Sequence, residues 1–262
     1  MKRIWPQNRK RFIVLQVLLI LALGGCATYN AATGRQEFIV IPTNTEVSMG
    51  REIHQQLLEQ NKLSNDPGLT ARVNRIGAKI SQVSDRQDYA YHFYVIEKDD
   101  LNAFTTPGGN VYVYTGLLKK LSSDAEIAAV LAHEVGHCAA KHTIKKFQAA
   151  MSYNILESVL FSASGMGDAA KQIAAMGSGA VTTIIFSAYG RGDEFQADLL
   201  GVKYMSLAGY DLNGMIQTLE VLRKESKGPQ VPLILRTHPY LEDRIAAVKK
   251  EIQRIEAEGR YR

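Results

Sequence analysis

The stretch LAHEVGHCAAKH, residues 131–142, carries three of the chain's six histidines, with Glu134 directly after the first. His133 and His137 are four residues apart. On a helix such residues lie one above the other, so both imidazoles can point at one ion. A carboxylate beside the first histidine then stands where a general base for a metal-assisted hydrolysis would be needed.

Two imidazoles do not complete such a site. A catalytic zinc takes three protein ligands and keeps its fourth position for water. His142 is the nearest further histidine, but an arrangement that draws its third ligand from this segment would place Gly at 140 and His at 143, where the chain has Ala140 and Thr143. The alternative is a glutamate from a later helix. RGDEFQAD, residues 191–198, offers Glu194 and Asp198, again four apart. Glu194 can serve as the third ligand, and Asp198, one turn on, can accept the free N–H of a ligand histidine and fix its tautomer. Cys138 is one residue on from His137 and so points about 100° away round the helix, which makes it buried filler rather than a ligand.

These residues need helices to hold them. Ser123 with Glu126 reads as a capping box, and the following segment to His142 is free of proline, with Gly136 its one weak point. Gly209 closes the helix that carries Glu194. Upstream, Thr43 with Glu46 reads as a capping box for a helix to about Gln60. Asp66-Pro67 opens another, in which Leu69, Val73, Ile76, Ile80 and Val83 keep helical spacing. YAYHFYVIE (89–97) and NVYVYT (110–115) read as strands, with Pro107-Gly108-Gly109-Asn110 turning between them. Further helices follow Asp211 and Pro239. The class is α+β, mainly helical, with a small sheet beside the histidine helix. Residues 172–190 carry no charge. Their Gly, Ala, Ser and Thr content predicts a buried or cleft-covering helical hairpin rather than a membrane span.

HEVGH with RGDEFQAD, followed by LAGYD and THPYLEDRI, resembles the HtpX/CAAX-prenyl-protease family of gluzincins, zinc endopeptidases of membranes and the bacterial envelope. NAFTTPGGNVYVYTGLL (102–118) matches the same pattern, and the likeness runs from about Glu46 to Ile245. It implies one Zn2+ per chain on His133, His137 and Glu194, with Glu134 as base, Asp198 as orienting residue, and protein or peptide substrates. It also implies that an extended substrate pairs with an edge strand, placed at Val111, Tyr112, Val113 and Tyr114. His238 becomes a candidate for stabilising the oxyanion, with Arg244 near it as a structural or substrate-facing partner. The chain departs from the family at Gly190-Arg191-Gly192, which could loosen the start of the Glu194 helix.

The N-terminus reads as an export leader: the basic MKRIWPQNRKR, the twelve-residue apolar run FIVLQVLLILAL, then LGGC ending at Cys26. A cysteine after small residues resembles the bacterial lipobox, so Cys26 is expected to be acylated and to anchor the protein in a membrane. Ala27 beside it suggests, by lipoprotein sorting rules, the outer membrane facing the periplasm. The expected organisation is a signal peptide at 1–25, a lipid-anchored tether at 26–42 and a metallopeptidase domain at 43–262. Without the five basic residues of the leader, 31 − 5 = 26 Lys and Arg face 26 Asp and Glu, so no basic excess speaks for nucleic acid. The competing readings are a non-catalytic, chaperone-like envelope lipoprotein that keeps the fold, and a zinc hydrolase of non-peptide substrates. The first has no chemical need for Glu134, and the second has none for the edge strand.

Overall fold

The structure is a computed structural model that describes residues 27–151 and 165–259. Cys26 and the leader lie outside the described residues. The segment expected as the tether contains a hairpin of β1 (Ala27–Asn30) and β2 (Arg35–Phe38), paired antiparallel. It leads into the long helix α1 (Thr43–Gln60). The predicted Thr43–Glu46 capping box does not form, because both side chains are used elsewhere. Thr43 donates to Asp88 at 2.6 Å, and Glu46 accepts from Arg86. Helix α2 (Pro67–Gln82) starts as expected, with Asp66 accepting from Leu69 N at 2.9 Å and Pro67 in the first turn. Its Val73, Ile76 and Ile80 are fully buried.

The main sheet contains β3 (His92–Ile96), β4 (Ala103–Thr106) and β5 (Asn110–Tyr114), in the order β3-β5-β4. β5 is parallel to β3 and antiparallel to β4. The Pro107–Asn110 turn therefore joins β4 to β5, not β3 to β5. Gly108 and Gly109 take left-handed φ values of 77° and 80° there, and a Cβ on Gly108 would meet Val47 Cα at 2.9 Å. This topology corrects the edge-strand expectation. Val111, Tyr112, Val113 and Tyr114 lie in the central strand, all buried, with both backbone edges already paired. The two edge strands are β3, whose outer side is bonded to residues 62–64, and the buried β4, which is too short to stand out in the sequence.

Two cores flank the sheet, as a period of two requires. Val111 and Val113 pack with α2 and with the histidine helix, while Tyr112, Tyr114 and Phe104 pack with α1. After a single turn, α3 (Thr115–Leu118), the histidine helix α4 (Asp124–Ala139) opens with both halves of the Ser123–Glu126 capping box in place. Every residue of α4 from Glu126 to Ala139 is buried. Lys141, at φ 59°, breaks the chain before α5 (His142–Ala150) and folds it back behind His137.

Helix α6 (Gly165–Ile185) bends at Gly177 and packs on α1 and β4. Ile173, Val181, Ile184 and Ile185 are its buried side, against α1 and β4, while Ala175, Gly179, Ala180 and Thr183 are exposed. No helix among the described residues is long and apolar enough to cross a membrane. Helices α7 (Arg191–Leu207), α8 (Asn213–Glu225), α9 (Leu233–Thr237) and α10 (Leu241–Glu258) complete the fold. α7 lies closely along α4 because Gly136 faces Ala197 and Gly201 faces the backbone of Ala132 and His133. A Cβ on Gly136 would come within 2.7 Å of the Ala197 carbonyl. The apparent weak point of α4 is thus the place where the two site-bearing helices meet.

Candidate metal centre

That close approach sets the site. α4 presents His133, Glu134 and His137. α7 presents Glu194 and Asp198, His238 comes from the residue after α9, and Arg244 from the first turn of α10. All seven side chains are buried. The start of α7 is not loosened by its glycines: Asp193 accepts from Gly190 N at 3.2 Å, and Arg191 pairs with Asp243 of α10 at 2.5 Å.

The ε-nitrogens of His133 and His137 stand 3.0 Å apart. Glu194 Oε1 is 3.3 Å from His137 Nε2, and its Oε2 is 3.7 Å from His133 Nε2. His238 Nδ1 closes the group, 3.2 Å from His133 Nε2 and 3.1 Å from Glu194 Oε1. One ligand atom from each of His133, His137, Glu194 and His238 falls within 4.8 Å of all the others.

Hydrogen bonds behind the histidines fix which nitrogen is free. Asp198 Oδ1 lies 2.8 Å from His133 Nδ1, and a carboxylate can only accept, so the proton is on Nδ1 and the lone pair on Nε2. Arg244 holds Asp198 in place with two bonds of 2.7 and 2.8 Å. The relay behind His137 is longer. His142 Nε2 faces the Gln196 carbonyl oxygen at 2.9 Å and an Asp193 carboxylate oxygen at 3.4 Å, so it carries a proton. Its Nδ1 then accepts from His137 Nδ1 at 3.0 Å, which leaves His137 Nε2 as a lone pair too. Both α4 histidines are therefore preset as ε-nitrogen donors.

Two lone pairs facing each other at 3.0 Å, with His238 Nδ1 3.2 Å from one of them, make a place suited to a cation. Glu194 contributes a further sign of the same demand. Burial pushes its pKa up, but the charges of His238 and Arg244 outweigh that and hold it well below the usual carboxylate range. Arg244 Nη1 sits 2.7 Å from Glu194 Oε2 as an ion pair, yet its orientation gives no hydrogen bond, and that buried oxygen has no hydrogen-bond partner. Burial holds the His137 imidazole well below its ordinary value, so it is neutral, as a ligand must be. Two imidazole nitrogens and a carboxylate oxygen in a closed, buried cluster suit one zinc ion.

A family model for peptidase family M48 matches residues 67–252. The chain belongs to peptidase family M48. It is 28% identical over 208 residues to the beta-barrel assembly-enhancing protease of Escherichia coli (strain K12), covering 77% of this chain and 42% of that protein. It is 31% identical over 156 residues to the mitochondrial metalloendopeptidase OMA1 of Arabidopsis thaliana, covering 60% and 30% of the two chains. To OMA1 of Saccharomyces cerevisiae (strain ATCC 204508 / S288c) it is 25% identical over 258 residues, covering 88% and 73%. The chain thus spans less than half the length of the first of these relatives.

In this M48 chain the structure brings together His133, Glu134, His137, Glu194, Asp198, His238 and Arg244 from four separate elements. It does not bring the Val111–Tyr114 strand to the cluster as a free edge. Cys138 turns away from the site to Thr105, 2.8 Å off, and burial pushes its thiol up to about 12. Two contributors were not legible in the sequence. His142 supports His137 from behind instead of binding metal. Tyr189 stacks on the His137 ring with centroids 3.9 Å apart, under the Lys146 ammonium at 3.8 Å. Only the proximity of His142 to His137 in sequence hinted at either.

Proposed function

We propose that the chain is a zinc-dependent endopeptidase that hydrolyses peptide bonds in misfolded or unassembled proteins of the bacterial cell envelope. In this reading it is held by an acylated Cys26 on the periplasmic face of the outer membrane. The observation that carries the catalytic part is Glu134. Its carboxylate is buried beside the ligand cluster, and its Oε2 has no hydrogen-bond partner among the described residues. A purely structural carboxylate at that depth would be paired.

Zinc held by His133, His137 and Glu194 supplies, when bound, Lewis acidity toward the attacking water and the scissile carbonyl. The remaining chemistry belongs to the protein. Glu134 has a pKa raised first by burial and further by Glu194, against the pull of His238 and His133. A basicity raised in this way suits a group that takes a proton from water and later returns it to the departing amine nitrogen. His238 Nε2 has no hydrogen-bond partner and stands 3.6 Å from Glu134 Oε1, which supports its role as a donor to the oxyanion.

The substrate-pairing edge moves from β5 to β4. Tyr114 N bonds Asn102 O at 2.9 Å, so in the alternating antiparallel ladder the main-chain groups of Ala103 and Thr105 turn away from β5. A peptide paired there lies beside α4, against which β4 packs. Because the ligand cluster is buried, a substrate enters only when the segments over it shift.

The test is incubation of the zinc-loaded protein with casein, with and without a chelator, beside Glu134→Gln. Cleavage that a chelator abolishes and Glu134→Gln lacks supports the endopeptidase. Binding of unfolded protein without cleavage, unchanged in Glu134→Gln, would favour the chaperone-like lipoprotein.

A further inference from the structure

The β1–β2 hairpin has a built inner face and an unexplained outer one. On the inner face Glu37 accepts from Asn30 at 2.9 Å and from Thr33 at 3.0 Å, and pairs with Lys145 of α5 at 2.9 Å. Gln148 of α5 clamps the exit of β2, accepting from Val40 N at 2.9 Å and donating to Phe38 O at 3.1 Å. The hairpin is therefore fixed to the helix that backs the metal centre. An isolated two-stranded ribbon is barely stable in water, so this clamping matters.

The register sets Tyr29 opposite Gln36 and Phe38 opposite Ala27. Alternation then places Tyr29 and Phe38 on one face as diagonal neighbours, while Arg35 and Glu37 fall on the other. Tyr29 is 61% and Phe38 52% exposed, and Gln36 between them is exposed and uncharged. Sheets exposed to water usually carry charge on such a surface. Here two aromatics and an amide face outward with no charge among them.

We infer that this outer face rests on the lipid bilayer, with Tyr29 and Phe38 seated at the headgroup boundary. The inference rests on the proposed membrane anchoring of the chain. What identifies the occupant is the position of the hairpin. β1 begins at the residue after Cys26, and the apolar run of residues 12–23 ends just before that. Lipid lies within roughly 10 Å of extended chain from Tyr29 if Cys26 is acylated, and within roughly 20 Å if the run is retained. Aromatic rings with a polar edge favour that boundary. A second copy of the chain is the poorer occupant, since a stable dimer buries about 800 Å² per partner and this face offers only three outward side chains. Seating the hairpin would fix which side of the domain faces the membrane.

Trp5, in the leader, is the only tryptophan, so a single reporter can be built. The full chain carrying Trp5→Phe with Phe38→Trp is reconstituted into phosphatidylethanolamine–phosphatidylglycerol vesicles containing acyl-brominated lipid. Trp5→Phe with Val231→Trp serves as the comparison, since Val231 is 55% exposed in the loop before α9. The indole at position 38 should be quenched by bromolipid at least twofold more than the one at 231, with a blue-shifted emission. Equal quenching in protein that floats with the vesicles overturns the docking face and leaves the anchor standing. An indole at 38 shielded from both bromolipid and aqueous iodide means that protein covers the face, and also overturns it. Protein that fails to float overturns the anchor, and the docking face with it.

Discussion

Two buried charge networks sit at the two ends of the same stretch of α4, and they are built to opposite rules. At one end Arg86 reaches Glu46 with contacts of 2.6 and 3.3 Å, Asp88 at 2.9 Å and the Cys138 carbonyl at 3.1 Å. Glu46 also accepts from Gly108 N at 3.3 Å. No polar side-chain atom of Glu46 or Arg86 is left without a partner. At the other end, Glu134 Oε2, Glu194 Oε2 and His238 Nε2 are all buried without hydrogen bonds, next to two imidazole lone pairs 3.0 Å apart. The first network is closed and ties α1, the β4–β5 turn and the end of α4 into one body. In the second, Glu134 Oε2 and His238 Nε2 lack hydrogen bonds and Glu194 Oε2 has only its ion pair with Arg244. Burial and ionic character are alike in both, so neither marks function. What separates them is whether the polar atoms are satisfied within the chain.

The comparison breaks most sharply at Glu194. Glu194→Ala should abolish metal binding and peptide cleavage together, read by metal analysis beside a casein assay. Full occupancy in that variant would mean the second network is not a metal site. Glu134→Gln should lower cleavage by about 10²–10⁴-fold while metal stays near one per chain. Loss of the metal as well would make Glu134 a ligand.

On the closed side, Arg86→Met leaves Glu46 buried and unpaired, and should cost about 3–5 kcal/mol of stability in urea unfolding. The fraction that remains folded should bind metal as tightly as before, and a weakened site would show that the two networks are coupled. His142→Leu removes only the support behind His137. Metal affinity should fall by roughly 10–100-fold in chelator competition, and no change would empty the proposed relay of meaning. The smallest effect is expected from Ser123→Ala, at about 1 kcal/mol, because it removes a real cap far from both networks. Thr43→Ala should lose no cap at all.

The paired capping motifs show how far local sequence can be trusted. Ser123 and Glu126 bond only backbone within the same turn, Glu126 accepting from Ser122 N as well as Ser123 N, so the motif forms. Thr43 and Glu46 fit the same pattern, but Asp88 and Arg86, 45 and 40 residues away, take both side chains. The sheet fails to read for a similar reason. NVYVY announces a strand, but whether a strand is central or at the edge depends on its neighbours, and AFTT is too short and too mixed to announce itself.

The sequence alone determined the features set by spacing within one helix: His133, Glu134 and His137 on α4, Glu194 and Asp198 on α7, and the caps and apolar periods that make those helices form. A period of 3.6 residues fixes relative direction over a turn or two, and that is enough to propose ligands. Only the tertiary structure decided how the two helices meet, through Gly136 and Gly201, and therefore that Asp198 serves His133 while His142 serves His137. It also decided that His238 and Arg244 arrive from two further elements, and that β5 is central with β4 at an edge. The pairing of Asp198 with His133 and the arrival of His238 and Arg244 depend on contacts between residues 44 to 111 positions apart, and no local period carries that information.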